Sequence, residues 1–368
     1  MERLSKQTLK RLVGEHAVPC VSIFLQTHRI ATEEKLDRTK FGNLLHKSEE
    51  QLALMGLRSV DSTGFLRPAR ELLDPANDLF WQHQDHGLAV FLSPGFFRYF
   101  HLSYSPRETA IVSDSFHLKP LLPLFSGNSQ FYVLALSVRE TRLFHGTPGG
   151  MSMVDPASMP NILAKALEST GLPDDLPFPP GSSDRSRNLV LKHFQEIRTG
   201  IDELLAGEKV PLVLAGTDYL PALYREVNKY PHLLSETVVA DPAEVSDDEL
   251  FKTAWSIAER HFQGVRRLAL DRYKSLLGTS STSRDIKEIV PAAFYGRTDV
   301  SFLSDATELW GKFDAADGTV RIEDKPGTGT VDLLDFTAAH TFLHGGTAFV
   351  LAPEKVPDRG PVAAIFRY

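Results

Sequence analysis

The sequence is poor in cysteine and in long apolar runs. Cys20 is the one cysteine among 368 residues, so an internal disulfide is excluded and a reducing compartment, the cytoplasm, is expected. Because Cys20 stands in the apolar run PCVSIFL, we expect a buried thiol rather than a nucleophile. Apolar runs such as FYVLAL at 131–136 fall far short of the ~18 residues that cross a membrane. The first residues also lack the apolar core of a signal peptide, so no membrane association is predicted.

The motifs that carry most catalytic chemistry are missing as well. The sequence contains no phosphate-binding loop, no G-x-G-x-x-G, no G-x-S-x-G and no H-E-x-x-H. His83 and His86 could share one helix face, but two histidines without a third ligand are typical of polar surface residues. The acidic run SDDE at 246–249 indicates a helix cap. We therefore expect no metal, no cofactor and no catalytic residue, which favours a protein that is not an enzyme.

The charge balance is acidic. With 47 aspartates and glutamates against 40 lysines and arginines, the formal net charge is −7 at pH 7. Proteins that neutralise many phosphates are usually basic, so this balance argues against simple duplex binding. A contact with RNA must come from a local basic patch or from docking onto a ribonucleoprotein.

Hydrophobic periodicity predicts a mixed α/β chain in three sections. The first, 1–125, has a helical pattern at 37–57 and apolar strands at 20–27, 87–93 and 97–103. Its last stretch, FHLKPLLPLF, contains two prolines and is typical of a stiff connector.

The second section, 126–278, begins with a predicted hairpin at 130–150 and later has a buried-type strand at 210–217. Ser246 and Glu249 form a predicted capping box for a long helix that joins two domains. The third section, 279–368, alternates helices and strands, which predicts a compact α/β/α domain. Its final run, PVAAIFRY, indicates a strand that completes the sheet.

The main candidate site is the stretch PPGSSDRSRNLVLKHFQEIR at 179–198. Proline, glycine and serine predict an exposed loop, and the cations of the helix that follows outnumber its acids. Such a local basic patch suits contact with phosphates. The predicted contact residues are Gly181, Ser182, Arg185, Arg187, Lys192 and Arg198. The alternative is a loop that leads into a solvated helix face.

A second candidate follows the apolar strand at 210–217. Loops at the carboxyl ends of strands carry sites in α/β sheets, so polar and aromatic side chains here indicate a pocket. Its predicted residues are Asp218, Tyr219, Tyr224 and Arg225. The alternative is that the rings pack a loop and that Arg225 pairs with Glu226 or Asp218.

Six segments, which extend over nearly the whole chain, carry a resemblance to a known family. In chain order they are PCVSIFLQTHR, HGLAVFLSPGFFRYF, FHLKPLLPLF, FYVLALSVRETRLFHG, VPLVLAGTDYLPALYREVNKYPHLL and HGGTAFVLAPEKVPDRGPVAAIFRY. They resemble the bacterial family related to archaeal and eukaryotic class I peptide-release factors and to the ribosome-rescue protein Pelota. Within that family, the chain is identified as a member of the third subfamily.

The resemblance implies three domains: a codon-facing domain, an RNase H-like middle domain and a ribosomal-protein-like α/β/α domain at the C-terminus. The second of these reaches the peptidyl transferase centre in the family, and the third recruits partners, including a translational GTPase. The implied protein is cytoplasmic and contacts the ribosome through rRNA or tRNA. The sequence does not indicate an oligomeric state.

Two motifs of the release factors do not occur. The Gly-Gly-Gln tripeptide that promotes hydrolysis of peptidyl-tRNA is missing, since the two Gly-Gly pairs are followed by Met151 and Thr347. The matching position, PPGSSDRSRN, keeps Gly181 alone, and no Asn-Ile-Lys-Ser decoding motif is present. Stop-codon reading and hydrolysis therefore do not carry over. The features that remain are the overall shape and a basic helix start after a loop. They are closer to Pelota, which also lacks the tripeptide and occupies the ribosomal A site.

The expected function is a ribosome-associated, release-factor-like role in translation termination, rescue or the handling of stalled ribosomes. One alternative is an enzyme that acts on a nucleic acid or small molecule in the pocket near Asp218 and Tyr219. A second is a non-catalytic adaptor whose third section binds a partner protein.

Overall fold

The structure is a computed structural model that describes residues 6–15, 17–28, 34–57, 59–102, 104–125, 130–137, 140–156, 159–168, 184–217 and 219–368. The chain divides into two compact units. Unit 1 combines Met1–Ser126 with Arg266–Tyr368, and unit 2 is Gly127–Val265. None of the helices in the described residues is both long enough and apolar enough to span a membrane.

The N-terminal segment of unit 1 contains one antiparallel sheet between helical layers. Its elements are α1 (Lys6–Val13), β1 (Cys20–Gln26), α2 (Glu34–Leu54), α3 (Ser59–Phe65), α4 (Arg67–Arg70), α5 (Asp78–Gln82), β2 (Gly87–Ser93), β3 (Phe96–Leu102), β4 (Thr109–Ser113) and α6 (Leu122–Phe125). The strands lie in the order β3-β2-β1-β4. Side chains alternate along each strand, so one face packs under α2 through Phe41 and Leu45. The other face receives Leu9 and Leu12 of α1.

Unit 2 is built on a five-stranded mixed sheet. Its elements are β5 (Phe131–Leu136), β6 (Thr141–Thr147), β7 (Gly150–Met153), α7 (Asn161–Glu168), α8 (Asp184–Leu204), β8 (Leu212–Gly216), α9 (Leu220–Val227), β9 (Leu233–Val238) and α10 (Asp247–Ser275), whose last residues lie in unit 1. The order is β7-β6-β5-β8-β9, with β5 antiparallel to β6 and parallel to β8. Helices α8 and α10 supply apolar side chains to two separate cores of this unit.

The predicted capping box at the start of α10 is confirmed. The Ser246 hydroxyl accepts a hydrogen bond from the Glu249 backbone N–H at 3.3 Å. The Glu249 carboxylate in turn accepts from the Ser246 backbone N–H at 3.4 Å. Two N–H groups that the first turn leaves without helical partners are thereby satisfied.

The C-terminal segment of unit 1 has a four-stranded and a three-stranded sheet. Its elements are β10 (Thr282–Ser283), α11 (Ile286–Phe294), β11 (Thr298–Ser304), β12 (Trp310–Asp314), β13 (Thr319–Ile322), β14 (Val331–Asp332), α12 (Leu333–Leu343), β15 (Thr347–Leu351) and β16 (Val362–Phe366). The larger sheet has the order β10-β16-β11-β15. The last strand in the chain, β16, lies inside this sheet between β10 and β11 and is buried along its whole length. The predicted role of the last residues in completing the sheet is thereby confirmed.

Four titratable side chains join the two segments of unit 1. We call His117, Lys119, Asp332 and Asp335 the buried charge cluster, because each is at most 6% exposed. The Lys119 Nζ lies 3.1 Å from Asp332 Oδ2, and the Lys119 backbone N–H donates to Asp335. The His117 Nδ1 lies 3.5 Å from Asp335 Oδ1. The cluster therefore connects the chain just before α6 to the start of α12.

Backbone groups complete the cluster. Lys119 Nζ also donates to the Thr307 carbonyl at 2.7 Å, and Asp335 accepts from the Leu118 backbone N–H at 2.6 Å. Asp332 caps α12 by accepting a backbone N–H of its first turn. Buried charges are tolerated when they are paired and hydrogen-bonded in this way.

The segment 116–125, predicted as a stiff connector, lies mostly in the core of unit 1. Its apolar side chains Phe116, Leu118, Leu121 and Leu122 share one cluster with side chains of α11 and α12. The sections 1–125, 126–278 and 279–368 remain a prediction of domain organisation. What the structure describes is one core that both segments of unit 1 share, beside a further core within each segment.

Candidate functional site

The main predicted site lies at the start of α8. The apolar side chains Val190, Phe194 and Ile197 of this helix are buried in the core of unit 2, which fixes the helix rotation. The loop residues Gly181 and Ser182, predicted to contact RNA, lie outside the described residues. The Arg185 side chain lies outside the described part of the chain as well.

The remaining cations of the predicted patch face two directions. Arg187 and Arg198 are eleven residues apart, about three turns at 3.6 residues per turn, so they lie on the same side of α8. Lys192 lies about 140° further around the helix, away from the buried stripe, and is exposed. The structure therefore presents Lys192 outward and the two arginines along one flank.

Both arginines of the flank form ion pairs. Arg187 lies 2.5 Å from Glu226 of α9, and both side chains are about half exposed. Arg198 lies 3.2 Å from Asp202, one turn further along α8. For Lys192 we find no ion pair among the described residues. Burial lowers the pKa of the neighbouring His193, so its imidazole adds no positive charge at neutral pH.

The residues of the second predicted site pack around α9. Asp218 lies outside the described residues, and Tyr219 is half-buried. Tyr224 is fully buried, and its ring meets that of Phe194 of α8 edge to face, with centroids 5.6 Å apart. Burial raises the pKa of the Tyr224 hydroxyl, which therefore stays protonated at neutral pH.

Arg225 connects α9 to β9. Its guanidinium donates to the carbonyl oxygens of Leu234 at 2.8 Å and Ser235 at 2.9 Å, and to the Thr237 hydroxyl at 2.9 Å. The two predicted sites thus meet through α8 and α9, where Glu226 pairs with Arg187.

Two features of the structure were not predicted from the sequence. One is the buried charge cluster, whose signal is a lysine and a histidine inside the apolar stretch FHLKPLLPLF. The other is a cavity of about 440 Å³ between the α1 region and β3, which we call the α1–β3 cleft. Its signal is the alternation of Phe96, Arg98 and Phe100 along one strand.

The described residues also bear on metal chemistry. Among them, no group of three or more histidines, cysteines, aspartates or glutamates is arranged to hold a metal ion.

The buried thiol predicted at Cys20 is confirmed, since the side chain is fully buried and burial raises its pKa to about 12.

One family model matches the middle of the chain. Residues 130–297 match the family model described as bacterial archaeo-eukaryotic release factor family 3. The family predicted from the sequence is confirmed over this stretch. The match contains most of unit 2, including α8 and α9. No curated protein sequence matches the chain.

Solved structures of release-factor relatives are similar at low identity. An archaeal translation termination factor, aRF1, is 14% identical, with 100% of this chain and 99% of that chain covered and a TM-score of 0.26. S. cerevisiae Dom34, described as a translation termination-like factor that interacts with Hbs1, is 14% identical, with coverage of 74% and 75% and a TM-score of 0.40. Archaeal Pelota in a ribosome-bound model with ABCE1 is 12% identical, with coverage of 74% and 72% and a TM-score of 0.41.

Proposed function

We propose that this protein associates with the ribosome and acts in translation termination, rescue or the handling of stalled ribosomes. The observation that carries the proposal is the match of residues 130–297 to a family of release-factor relatives. The ribosome, through rRNA or tRNA, is the proposed partner, and the cytoplasm is the proposed location. A translational GTPase is a further proposed partner, bound through residues 279–368.

The proposed role does not include Gly-Gly-Gln chemistry. The sequence contains no such tripeptide, so the hydrolysis of peptidyl-tRNA that this motif promotes does not carry over to this chain. We propose that it acts by occupying a ribosomal site. The sheet of unit 2, with an antiparallel meander on one side of β5 and parallel strands on the other, supports an RNase H-like middle domain.

The proposed contact with the ribosome lies at the start of α8 and in the loop before it, with Gly181, Ser182, Arg185, Arg187, Lys192 and Arg198 as its residues. The first turn of a helix carries a partial positive charge, which attracts phosphate and adds to the charge of its arginines. Lys192 extends the patch along the outward face of the helix. This local patch reconciles phosphate contact with the net charge of −7.

In the ion pair of Arg187, a phosphate could readily take the place of the Glu226 carboxylate. Exposed pairs contribute under about 1 kcal/mol, and both Arg187 and Glu226 are about half exposed. Replacing the carboxylate of Glu226 by a phosphate oxygen therefore costs little, while a phosphate bound by arginine gains charge-assisted hydrogen bonds.

Sedimentation of the full chain through a sucrose gradient tests the proposal. Gently lysed cells would be analysed at low and moderate salt, with and without induced stalling. We expect co-migration with ribosomes that weakens as salt rises, because phosphate contacts release counterions. A protein that stays at the top of the gradient under every condition would contradict the proposal.

A further inference from the structure

The α1–β3 cleft lies within unit 1, remote in sequence from the family match. Strand β3 is the edge strand of the N-terminal sheet, and its alternation places Phe96, Arg98 and Phe100 on one face. On the other side, Thr8 and Arg11 lie three residues apart on one face of α1, and Glu15 lies two residues beyond the end of that helix. The cleft is the space between these residues and the edge strand.

The aromatic side of the cleft is fixed by the core. Phe100 is 2% exposed, and Phe96 packs against Phe116 with ring centroids 5.6 Å apart. The guanidinium of Arg98 lies 5.6 Å from the centre of the Phe96 ring, within cation–π distance. The cleft therefore has a firm side, formed by the Phe96 ring and the guanidinium that lies over it, against which a flat ring can stack.

The charges of the cleft select among ligands. Arg11 and Arg98 supply two positive charges, and arginine is the side chain best suited to phosphate. Glu15 supplies one carboxylate, which is held near the cleft by a hydrogen bond from the Ala17 backbone N–H at 3.2 Å. A ligand that is anionic throughout would be repelled by Glu15. A ligand with a phosphate at one end and hydroxyl or amino donors at the other satisfies all three groups.

We propose that the α1–β3 cleft binds a nucleoside monophosphate, either free or as an unpaired nucleotide of an RNA strand. The base stacks beside Phe96 and Arg98, the arginines bind the phosphate, and Glu15 accepts hydrogen bonds from the ribose or the base. The volume of about 440 Å³ lies within the range of about 300–1,000 Å³ that small-molecule pockets occupy. The proposal does not rest on ribosome association.

Calorimetric titration of the full chain tests this site. The probes are the four ribonucleoside 5′-monophosphates, each added separately, and inorganic phosphate. Arg98→Gln and Arg11→Gln each remove one charge, and Gly14→Leu adds bulk at a residue that lines the cleft without changing its charge. A Cβ atom at Gly14 would meet nothing closer than 3.4 Å, so the position admits a side chain. Arg107→Gln, which changes an exposed arginine of the same unit, is the matched control.

We expect saturable binding of at least one nucleotide, with inorganic phosphate at least about tenfold weaker because it cannot stack. Each cleft variant should weaken nucleotide binding by about tenfold or more, since it removes a charge-assisted hydrogen bond or fills the space for the base. The control should bind as the unchanged protein does. Thermal unfolding of every variant checks that the fold is kept.

A fluorescein-labelled RNA hexanucleotide of mixed sequence distinguishes the two sources. Tighter binding of the hexanucleotide than of any monophosphate, abolished in the cleft variants, supports the proposal with an RNA strand as the source. Equal or weaker binding of the hexanucleotide supports it with a free nucleotide. The proposal is overturned if no monophosphate saturates the protein, or if the folded cleft variants bind as the control does.

Discussion

The charged side chains of the buried charge cluster and those of α8 lie in opposite surroundings. Lys119 and Asp332 are almost fully buried, and their 3.1 Å pair lies among backbone hydrogen bonds that join two distant segments of the chain. Arg187 and Glu226 also form an ion pair, 2.5 Å apart, but each side chain is about half exposed to solvent. Water screens the second pair and not the first. The same chemistry therefore stabilises the fold in unit 1 and stays exchangeable in unit 2.

Removal of one partner from the buried pair should have the largest effect. Lys119→Met leaves Asp332 buried without its cation, so we expect the free energy of unfolding of unit 1 to fall by about 3–5 kcal/mol. Urea denaturation monitored by circular dichroism measures the loss. Lys287→Met, which changes an exposed lysine of the same unit, is the control and should cost under about 0.5 kcal/mol. Equal losses in the two variants would contradict the structural role of the cluster.

The cluster also predicts two opposing pH dependences. Burial raises the pKa of Asp335 to about 7, so the folded state keeps a proton that the unfolded state releases above about pH 4. This group therefore lowers stability as pH rises from about 4 to 7. Burial lowers the pKa of His117 to about 4, so the unfolded state takes up a proton that the folded state excludes. That group raises stability as pH rises from about 4 to 6.5.

The two contributions oppose each other, and removal of one should expose the other. Relative to the unchanged protein, Asp335→Asn should make stability rise more steeply with pH, by up to about 1.4 kcal/mol per pH unit. His117→Gln should make it rise less steeply by a similar amount. Urea unfolding at several values between pH 4 and 6.5 gives the slopes. If both variants shift the slope in the same direction, the assigned protonation states are wrong.

The exposed pair should have the smallest effect on stability. Arg187→Gln and Glu226→Gln, combined in a double-mutant cycle, should give a coupling energy below about 1 kcal/mol that falls as salt is added. Thermal unfolding of unit 2 at two salt concentrations measures this coupling. A coupling of several kcal/mol that salt does not change would place this pair with the buried cluster and remove the argument for exchange.

Much of the fold could be predicted because periodicity and end signals agree locally. The Ser246 and Glu249 box fixes the start of α10, and the pair Asp317-Gly318, with φ of +73° at Gly318, is the local turn signal between β12 and β13. Strand β4 and helix α3 were missed. Both are short, and β4 has only five residues, which leaves little periodicity to detect.

The sites were harder to predict because they depend on residues distant in the chain. Lys119 and Asp332 are 213 positions apart, and no local pattern indicates that they pair. The α1–β3 cleft likewise needs Arg11 and Arg98 from separate elements. The cations of α8 could be located because they are close in sequence, but their division into a flank and an outward face required the buried stripe of the helix.

The salt dependence of ribosome affinity tests the central claim most directly. The α8 variant replaces Arg185, Arg187, Lys192 and Arg198 by glutamine. The control variant replaces Lys209, Lys229, Lys252 and Arg260, which are cations of unit 2 outside α8, by glutamine. Both variants carry four fewer positive charges, so they change the overall field of the protein equally. Affinity for purified bacterial ribosomes would be measured between ~50 and ~200 mM salt.

We predict that the unchanged protein and the control variant show steep and nearly equal salt slopes. The α8 variant should bind more weakly, and its slope should be smaller by about one for each ribosomal phosphate that its side chains no longer neutralise. Equal affinities and slopes for the two variants would contradict the claim that α8 binds the ribosome. A lack of binding by the unchanged protein at every salt concentration would contradict ribosome association itself.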